Sequence, residues 1–285
     1  MTEAFDWRGR VGEVWAEEWR RTDRALAPLN HALLEAAAMG LPPGPKILDL
    51  GCGAGTTSFA FADAFPRAAI TGVDLSDALI AVARARAANR TGLAFEVGDA
   101  SRWTPADGGA FDAIVSRHGV MFFDDPVAAF AHLRSIAAPN ARLIFSCFRA
   151  RAENQWAEAL RPIVEAYAPQ MLAGPSPATG PFAFADPARI TRILTAAGFA
   201  APRIAPFDFD YVAGEGGEDP VAEAVALFGR IGPFAAMLRE VDPASAAAAR
   251  DQLAEIAAAH LAGGRISFRA AAWIVSTEPD PERPS

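Results

Sequence analysis

Apolar residues recur along this chain with two different periods. Before residue 44 they lie three and four apart: Trp15 and Trp19, then Leu26, Leu29, Leu33 and Leu34. That spacing lines one face of a helix. Pro42, Pro43, Gly44 and Pro45 then end any helical run. From Lys46 onward, short apolar runs alternate with helix-length amphipathic stretches. KILDL, AITGVDL, LAFEV, FDAIVS and ARLIFSCF read as successive strands. The first is followed by a glycine turn and a helix through Phe59, Phe61 and Phe65. Ser76 caps a helix whose apolar positions include Leu79, Val82 and Ala83. Asp125 and Pro126 suit the N-cap and first residue of a helix that buries Val127, Phe130, Leu133 and Ile136. Strands separated by helices imply βαβ units with right-handed crossovers. The expected fold is α/β: a doubly wound, mainly parallel sheet with helices on both faces.

After residue 150 the alternation stops. Helical stretches and a Gly/Pro-rich loop, GPSPATGPF, occupy 150–183 and suggest a helical lid. A helix starts at Asp186-Pro187, packs Ile190, Ile193 and Leu194, and ends near Gly198. A strand near Ile204 to Tyr211, helices over 219–262 and a final strand, SFRAAAWIVST, complete the pattern. The expected organisation is an N-terminal helical segment (1–44), a ligand-binding core (45–150), a lid and acceptor region (151–185), the rest of the same fold (186–277), and a disordered tail, EPDPERPS (278–285).

Charge narrows the partners. The 285-residue chain carries a net charge of −8 and almost no lysine. A nucleic-acid binder usually shows a basic footprint, and none is present. No apolar run is long enough to span a bilayer, and MTEAFDWRGRVGEVW has no apolar signal core. A cytoplasmic enzyme with a small-molecule partner, monomeric or homodimeric, is the expectation. Cys52 and Cys147 lack metal-ligand spacing and read as small core residues. No metal is expected.

The chemistry concentrates in LDLGCGAGTT, residues 48–57. Gly51, Gly53 and Gly55 alternate after a strand, which permits a tight turn and close approach of a ligand to the backbone. Ligands of open parallel sheets bind at the carboxyl ends of the strands. Asp74 ends the second strand, placed to hold both hydroxyls of a ribose. Asp99 follows the third, where a carboxylate can accept from an adenine amino group and the Ala100 amide can meet the ring. A dehydrogenase would show G-x-G-x-x-G above a pyrophosphate. Here the spacing is G-x-G-x-G, and Thr56 takes the position of that third glycine. Asp49, two residues before the first glycine, favours a cationic ligand part.

These segments resemble the class I S-adenosylmethionine-dependent methyltransferases. LDLGCGAGTT, GVDLS and EVGDA are similar to the motifs of their first three strands, and FDAIVSRHGVMFFDDP to the motif after the fourth in a bacterial subgroup. The likeness extends through GPFAFADPARITRILTAAGF to AAWIVST. It implies a Rossmann-like seven-stranded sheet with an antiparallel last strand, and S-adenosyl-L-methionine as cofactor. It implies that Asp49 and Gly51 lie near the methionyl end, with Cys52 and Gly53 in the same turn. It also sets Asp74 and Leu75 at the ribose and adenine, Asp99 and Ala100 at the adenine edge, and Ser116 and Arg117 on the methyl-donor side. The acceptor is left open. A non-catalytic S-adenosylmethionine-binding protein and an NAD-dependent dehydrogenase are the alternatives.

His118 stands where the subgroup usually has phenylalanine. It reads either as a general base, with a rate limb near neutral pH, or as packing. Arg117 reads either as a site for an acidic substrate or as a partner of Asp124 or Asp125. Trp15, Trp156 and Phe182 are candidates to line an apolar acceptor pocket. Tyr167, Met171 and Phe184 share the lid with them.

Overall fold

The computed structural model describes residues 7–38, 40–172, 179–216 and 219–282. Residues 174–178 of the expected Gly/Pro-rich loop lie outside the described residues, as do the first six and the last three. The N-terminal apolar stripe forms two helices, α1 (Arg10–Glu17) and α2 (Trp19–Ala37), that meet at Glu18. The core then alternates: β1 (Lys46–Leu50), α3 (Thr56–Ala64), β2 (Ala69–Asp74), α4 (Asp77–Ala87), β3 (Leu93–Val97), β4 (Phe111–Arg117), α5 (Pro126–Ser135) and β5 (Ala137–Phe148). Beyond it come α6 (Gln155–Tyr167), α7 (Pro187–Ala196), β6 (Arg203–Glu215), α8 (Pro220–Arg230), α9 (Gly232–Leu238), α10 (Pro243–Ala259), β7 (Leu261–Ala262) and β8 (Arg265–Thr277).

The helix starts follow the caps read from the sequence. Ser76 Oγ accepts from the Leu79 amide at 3.2 Å, Asp125 from Ala128 at 3.0 Å and Asp186 from Ala188 at 2.9 Å. Each cap satisfies an amide that has no partner within its helix. Asp219 and Asp242 cap α8 and α10 in the same way, each ahead of a proline. Gly198 ends the α7 region at φ 88°.

The sheet has eight strands. Seven run in the order β3-β2-β1-β4-β5-β8-β6, and the two-residue β7 pairs with β8 beside them. β1 to β5 are mutually parallel, and β8 runs antiparallel to β5 and to β6. The two-residue β7 is the strand that the seven-strand expectation lacked. Alternating side chains separate two cores. Ile47, Val115 and Ile144 pack with Leu33 and Phe61. Leu48, Ile114, Leu143 and Phe145 join a larger cluster that includes Phe130, Ile190 and Leu194. Phe130, Phe145 and Phe184 are almost wholly buried and meet at centroid distances of 5.7–6.3 Å.

The strand order reverses between β1 and β4, the kind of switch point beside which ligands of open parallel sheets bind. The register is close: Leu50 pairs with Val73, and Asp49 with both Gly72 and Val115. The carboxyl ends of β1, β2 and β4 therefore share one rim. The tail read as disordered is pinned over its described part. Glu278 accepts from the Ala200 amide, the Asp280 amide donates to Gly198, and Arg134 donates to the Asp280 carbonyl.

Candidate active site

A cavity of about 1470 Å³ opens at this rim. Its first wall is the turn after β1. Gly51, Gly53 and Gly55 all have positive φ, which only glycine adopts without strain. A Cβ on Gly53 would meet nothing within 4 Å, so the turn's outer side is open to a ligand. A Cβ on Gly119 would lie 2.8 Å from the Leu50 carbonyl. The loops after β1 and β4 thus touch backbone to backbone. Ser116 helps hold them: its hydroxyl donates to the Leu50 carbonyl at 2.8 Å and accepts from the Gly119 amide at 3.2 Å.

Asp74 is the hinge of the second wall. One carboxylate oxygen accepts from the Gly53 amide at 2.8 Å and the other from the Ser76 amide at 2.9 Å. Both bonds leave lone pairs free on a side chain that borders the cavity. Burial raises its pKa, and the amides of Ser76, Gly53 and Leu75 oppose that rise. Leu75, Asp99 and Ala100 continue this wall, and Asp99 is oriented by Ser101 and Arg102.

Asp49 is not on the wall. Strand alternation turns it away, and it is 1% exposed with one oxygen accepting from the Ser58 hydroxyl at 2.6 Å. Its other oxygen has no partner. Burial lifts its pKa to about 7, while the Ser58 bond and the Arg117 charge pull it down. The expectation of a fixed anion facing a ligand cation therefore fails for Asp49 in this geometry. Ser116 likewise acts behind the wall, as the tie between two loops.

Arg117 borders the cavity but pairs with neither Asp124 nor Asp125. It donates to Asp23 of α2 at 2.7 Å, and its other terminal nitrogen is buried without a partner. Asp23 also receives Thr56 and Arg86. Arg86 stacks on Trp19, 4.0 Å from the ring centroid, and donates to the Ala54 carbonyl. This network fastens α2 to the glycine turn. Helical periodicity offered no sign of it, because Asp23 reads as a solvated helix residue.

His118 is a strained residue. Its φ is 65°, and it is the non-glycine residue with positive φ among those described. The imidazole is 7% exposed, with Nδ1 2.7 Å from Ser146 Oγ and its ring edge-on to Phe148 at 4.1 Å. Nε2 is buried without a partner. Burial, then the Arg117 charge, lowers its pKa to about 3, against a small opposing effect of Ser146. His118 borders the cavity, but that environment opposes protonation of the ring and so argues against a base with a neutral-pH limb.

The far end of the cavity is aromatic. Phe148, Trp156, Tyr211 and Phe228 border it, joined by Trp7 and Trp15 from the N-terminal segment and Met121 from the turn after β4. Trp156 stacks with Tyr211 at 5.5 Å. Phe182 does not reach the wall; it stacks behind Trp156 at 5.9 Å. Phe184 lies in the core instead, whereas Met171 borders the cavity. Tyr211, Phe228 and the α8–α9 corner went unread in the sequence. For Phe228 and the corner the signal was the apolar period of 220–238, which reads as core packing; Tyr211 lies on β6. Cys52 and Cys147 are both buried and free, and Cys52 borders the cavity.

Known proteins share this architecture. Residues 47–140 match the family described as "Methyltransferase domain". A malonyl-[acyl-carrier protein] O-methyltransferase of Paenibacillus sp. is 28% identical over 146 residues, 50% of this chain and 52% of that one. Nocamycin O-methyltransferase of Saccharothrix syringae is 28% identical over 240 residues, 79% of this chain and 82% of its own. Several curated relatives are spanned over about half their length or less, 38% and 44% in two cases. Phosphoethanolamine N-methyltransferase 2 of Haemonchus contortus, solved with S-adenosyl-L-methionine, superposes with a TM-score of 0.55 at 15% identity. That superposition covers 98% of this chain and 60% of the other, and it fixes the fold.

Proposed function

We propose that this chain, whose residues 47–140 match a methyltransferase domain, is a class I, S-adenosylmethionine-dependent enzyme that transfers a methyl group to a small-molecule acceptor. The observation that carries the reading is one continuous cavity. It joins the glycine turn, Asp74 and Asp99 to the aromatic chamber of Phe148, Trp156, Tyr211 and Phe228. The wall fits the cofactor. It offers acceptors for ribose hydroxyls and an adenine amine, an open glycine turn, and the unpartnered guanidinium N–H of Arg117 for a carboxylate.

When bound, S-adenosylmethionine supplies a methyl group already activated by a sulfonium leaving group. The protein's share is alignment and exclusion of water. Asp74, held by two backbone amides, presents its free lone pairs without reorganisation. Leu75 and Ala100 flank the adenine, and Arg117, held by Asp23, fixes the amino-acid end. The aromatic chamber favours a hydrophobic or aromatic acceptor. His118 offers a neutral imidazole and stores no proton near neutral pH. The O-methyltransferases among its relatives make oxygen the first atom to test as nucleophile. Among the described residues, no single helix is long and apolar enough to cross a membrane. With the absence of a basic cluster in the sequence, this favours a cytoplasmic protein that binds neither nucleic acid nor membrane.

Calorimetry tests the reading. S-adenosylmethionine or its demethylated product should bind with 1:1 stoichiometry, and NAD should not. Binding of NAD with no response to either adenosyl compound would overturn it.

A further inference from the structure

Three of the six arginines that border the cavity are neutralised. Arg102 pairs with Asp99, Arg117 with Asp23, and Arg230 with Glu17 and Glu18. Arg10 and Arg239 differ. Both border the cavity, and among the described residues neither has an ion pair; the same holds for the exposed Arg8. Asp124, an exposed acid that also borders the cavity, pairs with neither.

Their placement sharpens the contrast. Arg10 opens α1, the helix end at which the backbone dipole favours negative charge. Arg239 follows α9 from the opposite side. The two are near enough to feel each other. Desolvation first, then the Arg10 charge, hold Arg239 below its ordinary pKa, with Glu240 opposing. Both side chains are exposed at the cavity's border, and an anion placed between them would be attracted by two positive charges in a chain of net charge −8. The helix end behind Arg239 accounts for that one cation alone, since the C-terminal end of a helix suits positive charge. It does not account for Arg10.

We propose that the acceptor is an amphipathic acid whose carboxylate is held between Arg10 and Arg239 while its hydrophobic body fills the aromatic chamber. This rests on the methyltransferase reading and names the class of substrate. Arg10 and Arg239 act as positioning residues: they anchor the acceptor, and the methylated atom lies elsewhere on it. Trp156 and Tyr211 give a flat apolar body two faces to pack against. Charge-assisted bonds from guanidinium to carboxylate supply orientation as well as affinity.

The test uses the full chain saturated with S-adenosylhomocysteine and three probes: 2-naphthylacetate, the neutral 2-naphthylacetamide and 2-naphthyl phosphate. Tryptophan fluorescence reads binding. The acid should bind at least about tenfold more tightly than the amide. Raising salt to about 0.5 M should weaken the acid and leave the amide unchanged. In the R10Q/R239Q double variant the acid should fall to the affinity of the amide, whose own dissociation constant should hold. Equal binding of acid and amide, a preference that survives in the variant, or no binding of the acid at millimolar concentration would overturn the proposal. Tighter binding of the phosphate than of the acid would overturn the carboxylate. Failure of S-adenosylhomocysteine to bind at all would refute the methyltransferase reading itself, which separates the two.

Discussion

Replacing His118 by phenylalanine removes a buried imidazole whose protonation the fold resists. The ring's pKa drops from 6.5 in the unfolded chain to about 3 in the folded one. Between those values the folded state binds fewer protons than the unfolded state. Stability therefore rises with pH across this window, is complete above about pH 6.5, and is lost as pH falls toward 3. Each pH unit inside the window is worth about 1.4 kcal/mol. At pH 5 the wild type should have lost about 2 kcal/mol through this residue alone. His118→Phe lacks the group and loses none of it. Urea melts of both proteins at pH 7.5 and pH 5.0 isolate the effect, because the other titrating groups cancel in the difference. Wild type should lose about 2 kcal/mol more than the variant on acidification. At pH 7.5 the balance is smaller. Phenylalanine deletes the unpartnered Nε2 but must occupy the left-handed backbone at φ 65°. The same environment predicts that turnover near neutrality shows no limb assignable to this ring. A difference between the proteins that does not change with pH would show that the imidazole is not desolvated, and the argument would fall.

Other substitutions probe the site in complementary ways. Asp74→Ala should lower affinity for S-adenosylhomocysteine at least about tenfold by calorimetry while a cooperative thermal transition persists; an unchanged dissociation constant would remove Asp74 from the site. Asp23→Ala strands Arg117 with a buried charge and no partner, and should cost about 2–4 kcal/mol in urea melts. The double variant Asp23→Ala with Arg117→Leu should recover part of that loss, and a further additive loss would refute the pairing.

The sheet was legible because local rules and global topology agree over residues 46–148. Short apolar strands, aspartate caps and glycine stops each mark their own boundary without help from distant contacts. The glycine turn, Asp74 and Asp99 were legible for the same reason: the topology gathers successive strand ends on one rim. Less was readable where a residue's role depends on which face it presents. Asp49 and Gly51 are neighbours in one motif, yet strand alternation sends the acid to Ser58 and leaves the glycine at the turn. Phe182 and Trp156 are both lid aromatics, and only packing decides that one backs the other. Asp23 lies 94 residues before Arg117, so no local pattern could pair them. The pKa of His118 depended on burial, which the sequence pattern did not disclose.

β8 is the last strand of the sheet in chain order, yet it lies between β5 and β6. β6 is thus synthesised with no strand to join and waits some fifty residues for one, through α8, α9, α10 and β7. A thirteen-residue strand holding Phe207, Phe209 and Tyr211 is, during that interval, a template for pairing with other chains. Its sequence carries the safeguards such a strand needs. Pro206 withholds an amide, and Asp208 and Asp210 alternate with the aromatic positions and stand exposed. In the finished sheet β6 remains the edge, so the same residues go on discouraging sheet-to-sheet association after folding. Those residues are where neutralising substitutions should reduce the yield of native protein without touching the cavity.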